Sequence, residues 1–147
     1  MKSRYIALVI AIALLAAVIA PATAMATTTA WKNVGSVRGI SCYVQAQGTL
    51  ASDQYTVSAV GRSKTSGTLI DSIGSRVYLY NHNVIHQATL LSASAWRYES
   101  DWNYENSSCS GRIFNKYVSH GNVRAYGYFY KSGGSALSGV YTSTDVY

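Results

Sequence analysis

Side chains that could do acid–base, metal or redox chemistry are few in this sequence. They comprise six carboxylates (Asp53, Asp71, Glu99, Asp101, Glu105, Asp145), three histidines (His82, His86, His120) and two cysteines (Cys42, Cys109). A hydrolase using paired carboxylates needs two of them facing each other across a cleft. Only Glu99, Asp101 and Glu105 are crowded, and on a strand these odd positions lie side by side on one face, which reads as a solvated polar surface. His82 and His86 make an HxxxH spacing, but it runs through the turn formers Asn81 and Asn83 and has no adjacent Glu as a metalloprotease helix would. Nucleophile elbow, phosphate loop and dinucleotide fingerprint are all missing. The chemistry-bearing residues therefore predict no catalytic residue, no metal and no cofactor, and hence no enzyme.

Cys42 and Cys109 lack a CxxC spacing or a nearby histidine, so a reactive or metal-binding pair is disfavoured. In an exported chain they most simply pair with each other. A bridge enclosing about 66 residues would stabilise by roughly 4 kcal/mol on the loop-entropy estimate.

Aromatic residues carry more information. Trp96, Tyr98, Trp102 and Tyr104 occupy even positions, while Arg97, Glu99, Asp101, Asn103 and Glu105 occupy odd ones. One reading packs the indoles over the open end of the fold; the other makes them a sugar-binding platform or a protein-contact anchor. Ser100, the even position without a ring, marks a bend. Nearer the C-terminus, Val123, Ala125, Gly127 and Phe129 form an inner face, leaving Arg124, Tyr126, Tyr128 and Tyr130 in a row opposite, with Tyr78 and Tyr80 on a similar outer face. Such a ladder either stabilises a sheet or serves as a contact surface. Trp31, Val34 and Val37 lie in residues 27–38, a stretch that reads either as the first strand or as an arm adding to a neighbour's sheet edge.

The elements positioning these groups are strands. Lys2 and Arg4 precede an apolar run from Tyr5 to Ala20, then Pro21 and Ala24-Met25-Ala26, the pattern of a secretory leader over residues 1–26. The run is too short for the ~20 residues of a spanning helix, so no membrane span is expected after its removal. Taking 26 from 147 leaves 121 residues, enough for one domain, and losing Lys2 and Arg4 lowers the net charge from +6 to +4. That modest charge without a Lys/Arg cluster argues against nucleic acid as a partner.

Beyond the leader there is no proline, and tyrosine, valine and threonine abound, residues suited to a pleated, half-buried surface. Alternation predicts strands near 39–50, 54–60, 75–80, 86–98, 112–118, 122–130 and 139–144, with Gly61 to Gly67 a connection and Asn81-His82-Asn83 a turn. About seven short strands without room for helical crossovers predict an all-β fold, one antiparallel β-sandwich over residues 39–147 tied by the disulfide.

Asp71-Ser72-Ile73-Gly74-Ser75-Arg76-Val77-Tyr78-Leu79-Tyr80 and Gly121-Asn122-Val123-Arg124-Ala125-Tyr126-Gly127 resemble the paired strand patterns of small secreted β-sandwich proteins of Gram-positive bacteria. The likeness spans roughly residues 40–147 and departs at Asn122-Val123, where that group tends to carry aromatic residues before the arginine. It implies an extracellular sandwich and no particular activity. The expected roles are a tyrosine-rich structural or matrix protein of the cell surface assembling with itself, or a small binding module for a glycan or a surface protein.

Overall fold

The computed structural model describes residues 24–85 and 87–147, so most of the expected leader and His86 lie outside the described residues. The described chain is all-β, with ten strands in place of the seven that spacing predicts. They are β1 (Met25–Thr28), β2 (Lys32–Val37), β3 (Ile40–Leu50), β4 (Thr56–Thr65), β5 (Ser72–Asn83), β6 (Ala88–Ala93), β7 (Arg97–Glu99), β8 (Tyr104–Arg112), β9 (Ser119–Tyr130) and β10 (Leu137–Val146). No helix among the described residues is long and apolar enough to cross a membrane.

The strands form two antiparallel sheets. In the first, the order is β1-β3-β4-β8, with β2 sharing β1's side of β3; in the second it is β10-β9-β5-β6, with β7 sharing β6's side of β5. Alternation decides what lies between the sheets. β3 turns Cys42, Val44, Ala46 and Leu50 inward, and these meet Ile73, Val77 and Leu79 of β5 and Val123, Ala125 and Phe129 of β9. Burying each larger side chain of this kind contributes ~1.5–3 kcal/mol. Gly127 allows the sheets to approach, since a Cβ there would stand 2.6 Å from Val44 Cγ2 and 2.7 Å from Phe129 Cε2.

Several sequence expectations change for identifiable reasons. Residues 61–65 continue β4 because Gly61 faces inward, where a Cβ would meet Ala125 and Val77 at 3.1 Å, so this glycine is a packing position and not a break. His82 and Asn83 end a twelve-residue β5 and make no turn. The expected strand at 86–98 splits into β6 and β7, because Ser94 turns its side chain back to accept Val77 N–H at 3.0 Å. Arg112 ends β8 and residues 113–118 are not a strand: Asn115 Oδ1 accepts Tyr117 N–H at 2.9 Å, closing a turn.

The cysteines do not form a disulfide. Cys42 lies opposite Thr65 of β4 and Cys109 opposite Ala59 of the same strand. Those registers place them about 20 Å apart along the strand, at ~3.3 Å per residue, and on opposite sides of β4; a disulfide requires Cα atoms within about 7 Å. Burial pushes the Cys42 thiol up to about 11 and also raises that of Cys109, which keeps both protonated.

Residues 27–38 pair along the chain's own β3, from Thr27 opposite Gly48 to Val37 opposite Ile40. Val37 is buried and Val34 packs against the core. The β2–β3 hairpin turns through Arg38 at φ 51° and Gly39 at φ 79°, the two positive φ values a tight hairpin turn of the primed type demands.

Candidate functional site

The two outward faces differ in kind. On the first sheet β3 presents Ser41, Tyr43, Gln45, Gln47 and Thr49, and its neighbour β4 presents Ser58, Val60, Arg62 and Lys64, a mostly polar surface. On the second, alternation turns Arg76, Tyr78, Tyr80 and His82 of β5 outward. Beside them stand His120, Asn122, Arg124, Tyr126, Tyr128 and Tyr130 of β9, and Tyr141, Ser143 and Asp145 of β10. Asp145 is the sole carboxylate among the described strand residues of that face.

Register turns these rows into one layer. Arg76 lies opposite Tyr126, Tyr78 opposite Arg124, and Tyr126 opposite Tyr141. The Tyr78 ring stacks on Tyr80 with centroids 6.1 Å apart and meets Tyr126 edge-on at 5.2 Å; Tyr126 in turn stacks on Tyr141 at 5.1 Å. The Arg76 guanidinium sits 4.5 Å over Tyr78 and that of Arg124 4.5 Å over Tyr80. At the far end Trp96 stacks on Tyr98 at 5.5 Å, and Tyr98 meets Tyr128 edge-on at 5.5 Å. Tyr98 can lie there because its strand partner is Gly74: a Cβ on Gly74 would come within 2.7 Å of the ring.

The electrostatics follow. Neither Arg76 nor Arg124 is in an ion pair among the described residues. Arg76 Nε donates to Ser94 O at 3.0 Å and Arg124 Nε to Asn122 Oδ1 at 3.1 Å, so each guanidinium is fixed by a neutral acceptor and a ring. Burial among its neighbours raises the Tyr126 hydroxyl, with Tyr80 adding in the same direction, so it stays a neutral donor. A surface of this build offers flat aromatic area together with two oriented cations.

At the opposite corner His82 and His120 face each other across β5 and β9, with ring centroids 5.5 Å apart. Asp145 Oδ1 lies 3.4 Å from His120 Nε2 and accepts Asn122 Nδ2 at 2.7 Å. Tyr147 covers one side of His120 with ring centroids 4.6 Å apart.

Of the residues singled out by sequence, Trp96, Tyr98, Arg124, Tyr126 and Tyr128 join this face, and Tyr130 ends the β9 row opposite Ser72. Trp102 and Tyr104 do not. The chain bends at Ser100, takes a positive φ of 50° at Asp101, and crosses to the first sheet, so the four even-numbered rings never share a surface. Trp102 is half exposed and bridges Ile70; Tyr104 opens β8 and meets Trp31 edge-on at 6.4 Å, with Lys64 Nζ 4.4 Å over that indole. Glu99 and Asp101 are exposed as expected, but Glu105 points inward at 6% exposure beside Arg97, whose Nε is 3.6 Å from its carboxylate. Sequence reasoning missed Arg76, Tyr141 and the His82/His120/Asp145 corner. Arg76 and Tyr141 lie on strands that alternation identifies, whereas His82 falls in the expected turn and His120 and Asp145 just outside the expected strands, so only the longer observed strands and their register make these residues neighbours.

An apolar cavity of about 300 Å³ opens elsewhere, between Met25, Leu50, Ile113, Tyr117 and Tyr147. Its Lys116 is committed to Gln54 Oε1 at 2.6 Å and its Ser119 to Asn115 O at 2.6 Å.

No protein-family model matches the chain, and no curated protein matches it in sequence.

Proposed function

We propose that the chain is an extracellular, non-catalytic binding module that takes an acidic glycan on the outer face of its second sheet. The observation that supports this reading is the ring layer with two guanidiniums set into it. Tyrosine and tryptophan supply contact area at low conformational cost. Guanidinium groups match a carboxylate or sulfate geometrically and bind it through charge-assisted hydrogen bonds. With Asp145 as the sole carboxylate among the described strand residues of that face, the field over the tyrosines is positive. The leader pattern of residues 1–26 supports an extracellular place for it.

Self-assembly by strand addition has less support. Trp31, Val34 and Val37, the side chains that would anchor the arm in a neighbour, pack within their own chain.

Affinity electrophoresis through gels cast with a polyuronate or a neutral glucan tests the reading. The expected result is retardation by the polyuronate alone, reduced roughly tenfold by Arg124→Ala or Arg76→Ala. Equal retardation by neutral glucan, no retardation by either polymer, or indifference to both arginines would refute it.

A further inference from the structure

The corner where β5, β9 and β10 meet carries chemistry that the aromatic face does not use. His82 and His120 are directly opposed across an antiparallel pair, and Asp145 is the diagonal neighbour of His120, because the adjacent position on β10 pairs Val146 with Gly121. One ligand atom from each of the three side chains lies within 4.8 Å of the other two. Two imidazoles and one carboxylate on rigid strands form a donor set that suits a borderline divalent cation and not a hard one such as Ca²⁺, which takes six or more oxygens.

From these positions we infer that His82, His120 and Asp145 form a binding site for a divalent transition-metal ion, with Zn²⁺ as its simplest probe. Bonds of about 2.0–2.1 Å in tetrahedral geometry place neighbouring ligand atoms roughly 3.3 Å apart. The 3.4 Å between His120 Nε2 and Asp145 Oδ1 already meets that spacing. The remaining pairs, at up to 4.8 Å, have to close by side-chain rotation, since all three Cα atoms are held in paired strands.

The surroundings fit the same role. Asn122 Nδ2 donates to Asp145 Oδ1 at 2.7 Å, and its own Oδ1 accepts from Arg124 Nε, so the carboxylate is oriented by a residue that is itself fixed. Thr27 Oγ1 donates to the Asp145 backbone carbonyl at 2.9 Å, which anchors that part of β10 to β1. The His120 side chain is 19% exposed and that of Asp145 41%, so solvent reaches the site. Three protein ligands leave a fourth tetrahedral position for water or an incoming oxygen.

The test is titration of the purified protein with Zn²⁺ by calorimetry and with Co²⁺ by visible absorption. One equivalent is expected to bind, with the intense visible bands of tetrahedral Co²⁺. His82→Ala, His120→Ala and Asp145→Ala are each expected to weaken binding at least tenfold, and Asn122→Ala, which removes only an orienting group, by about tenfold. His86→Ala is expected to bind as the parent does. Circular dichroism identifies any variant that fails to fold. In that event the histidine ring signals of the unaltered protein decide: the inference requires Zn²⁺ to shift the two rings whose signals persist in His86→Ala, and a shift confined to the third overturns it. Lack of binding by the parent, binding abolished by His86→Ala, or binding that survives the loss of His120 in a folded variant overturns the site.

Discussion

Among the described glycines Gly48 leaves the least room for a Cβ, and substituting it probes the packing that carries the binding face. A Cβ built there would lie 2.1 Å from Val146 Cγ2 and 3.0 Å from Val123 Cγ2. Carbon atoms rest at about 3.5–4.0 Å, so Gly48→Ala forces a displacement of roughly 1.5 Å at Val146. Overpacking of this kind costs ~1–3 kcal/mol, and alanine recovers up to ~1 kcal/mol of the entropy that glycine loses in a strand. A net destabilisation of roughly 1–2 kcal/mol follows. Val146→Ala alone removes two buried methyl groups at ~0.8 kcal/mol each, plus a cavity term. In the double variant the new methyl fills the vacated space, so the combined loss falls short of the sum by at least ~1 kcal/mol. Urea denaturation of the parent, both single variants and the double variant measures that coupling. Because Tyr141 and Asp145 ride on the same strand as Val146, Gly48→Ala also weakens polyuronate retention, and the double variant restores it. A neutral Gly48→Ala, or additivity within ~0.5 kcal/mol, would refute the packing argument.

Denatured, unreduced protein is expected to react with two equivalents of a thiol reagent, and native protein only slowly, because burial raises both thiols and Cys42 is fully enclosed. Asp71 accepts Lys131 Nζ at 2.9 Å and Ser132 N–H at 2.6 Å, which lowers its carboxyl from 3.8 to about 2. A depressed folded-state value means its contribution is complete above about pH 4 and lost as the pH falls toward 2. Denaturation across that window is therefore expected to show a shallower pH dependence for Asp71→Asn. Asp101 is exposed at φ 50°, a conformation costly to any side chain, so Asp101→Gly raises stability by up to ~1 kcal/mol while Asp101→Val lowers it; thermal unfolding distinguishes the two.

Much of the strand content was legible because alternation is a local property. The inward set Cys42, Val44 and Ala46 and the inward set Val123, Ala125 and Phe129 stand in the sequence as plainly as in the fold. The outward row Arg124, Tyr126, Tyr128 was legible for the same reason. Lateral position was not. Cys42 does face the core, but nothing in a period of two tells that β3 and β8 flank β4 at registers some 20 Å apart at ~3.3 Å per residue. In the Trp96 to Glu105 stretch the bend at Ser100 was legible from its missing ring, but not that the chain there crosses from one sheet to the other and parts Trp96 and Tyr98 from Trp102 and Tyr104. The histidine corner joins residues from three strands, and its pairing follows from the β5–β9 and β9–β10 registers, which are set by core packing far from the histidines themselves.

Preorganisation is what separates the second sheet's outer face from the aromatic cluster around Trp31. Around Trp31, Lys64 reaches over the indole at 4.4 Å and over Tyr43 at 5.7 Å on a flexible four-carbon stem. A ligand held there must immobilise that stem, at about 0.5–1.5 kcal/mol for each rotamer-rich side chain. Arg76 and Arg124 are already held twice over, by Ser94 O and Tyr78 in one case and by Asn122 and Tyr80 in the other. Their ordering cost is met when the chain folds, so more of each charge-assisted contact remains as affinity. The same logic makes Asn122 the most informative single position on this face. Its amide orients Asp145 through the nitrogen and Arg124 through the oxygen. Asn122→Asp keeps the acceptor for Arg124 but sets a second carboxylate against Asp145. It is therefore expected to weaken both functions together: Arg124, now paired with an anion in a less positive field, retains polyuronate less well, and repulsion loosens the His120–Asp145 corner, losses that polyuronate retention and Co²⁺ absorption read on the one variant.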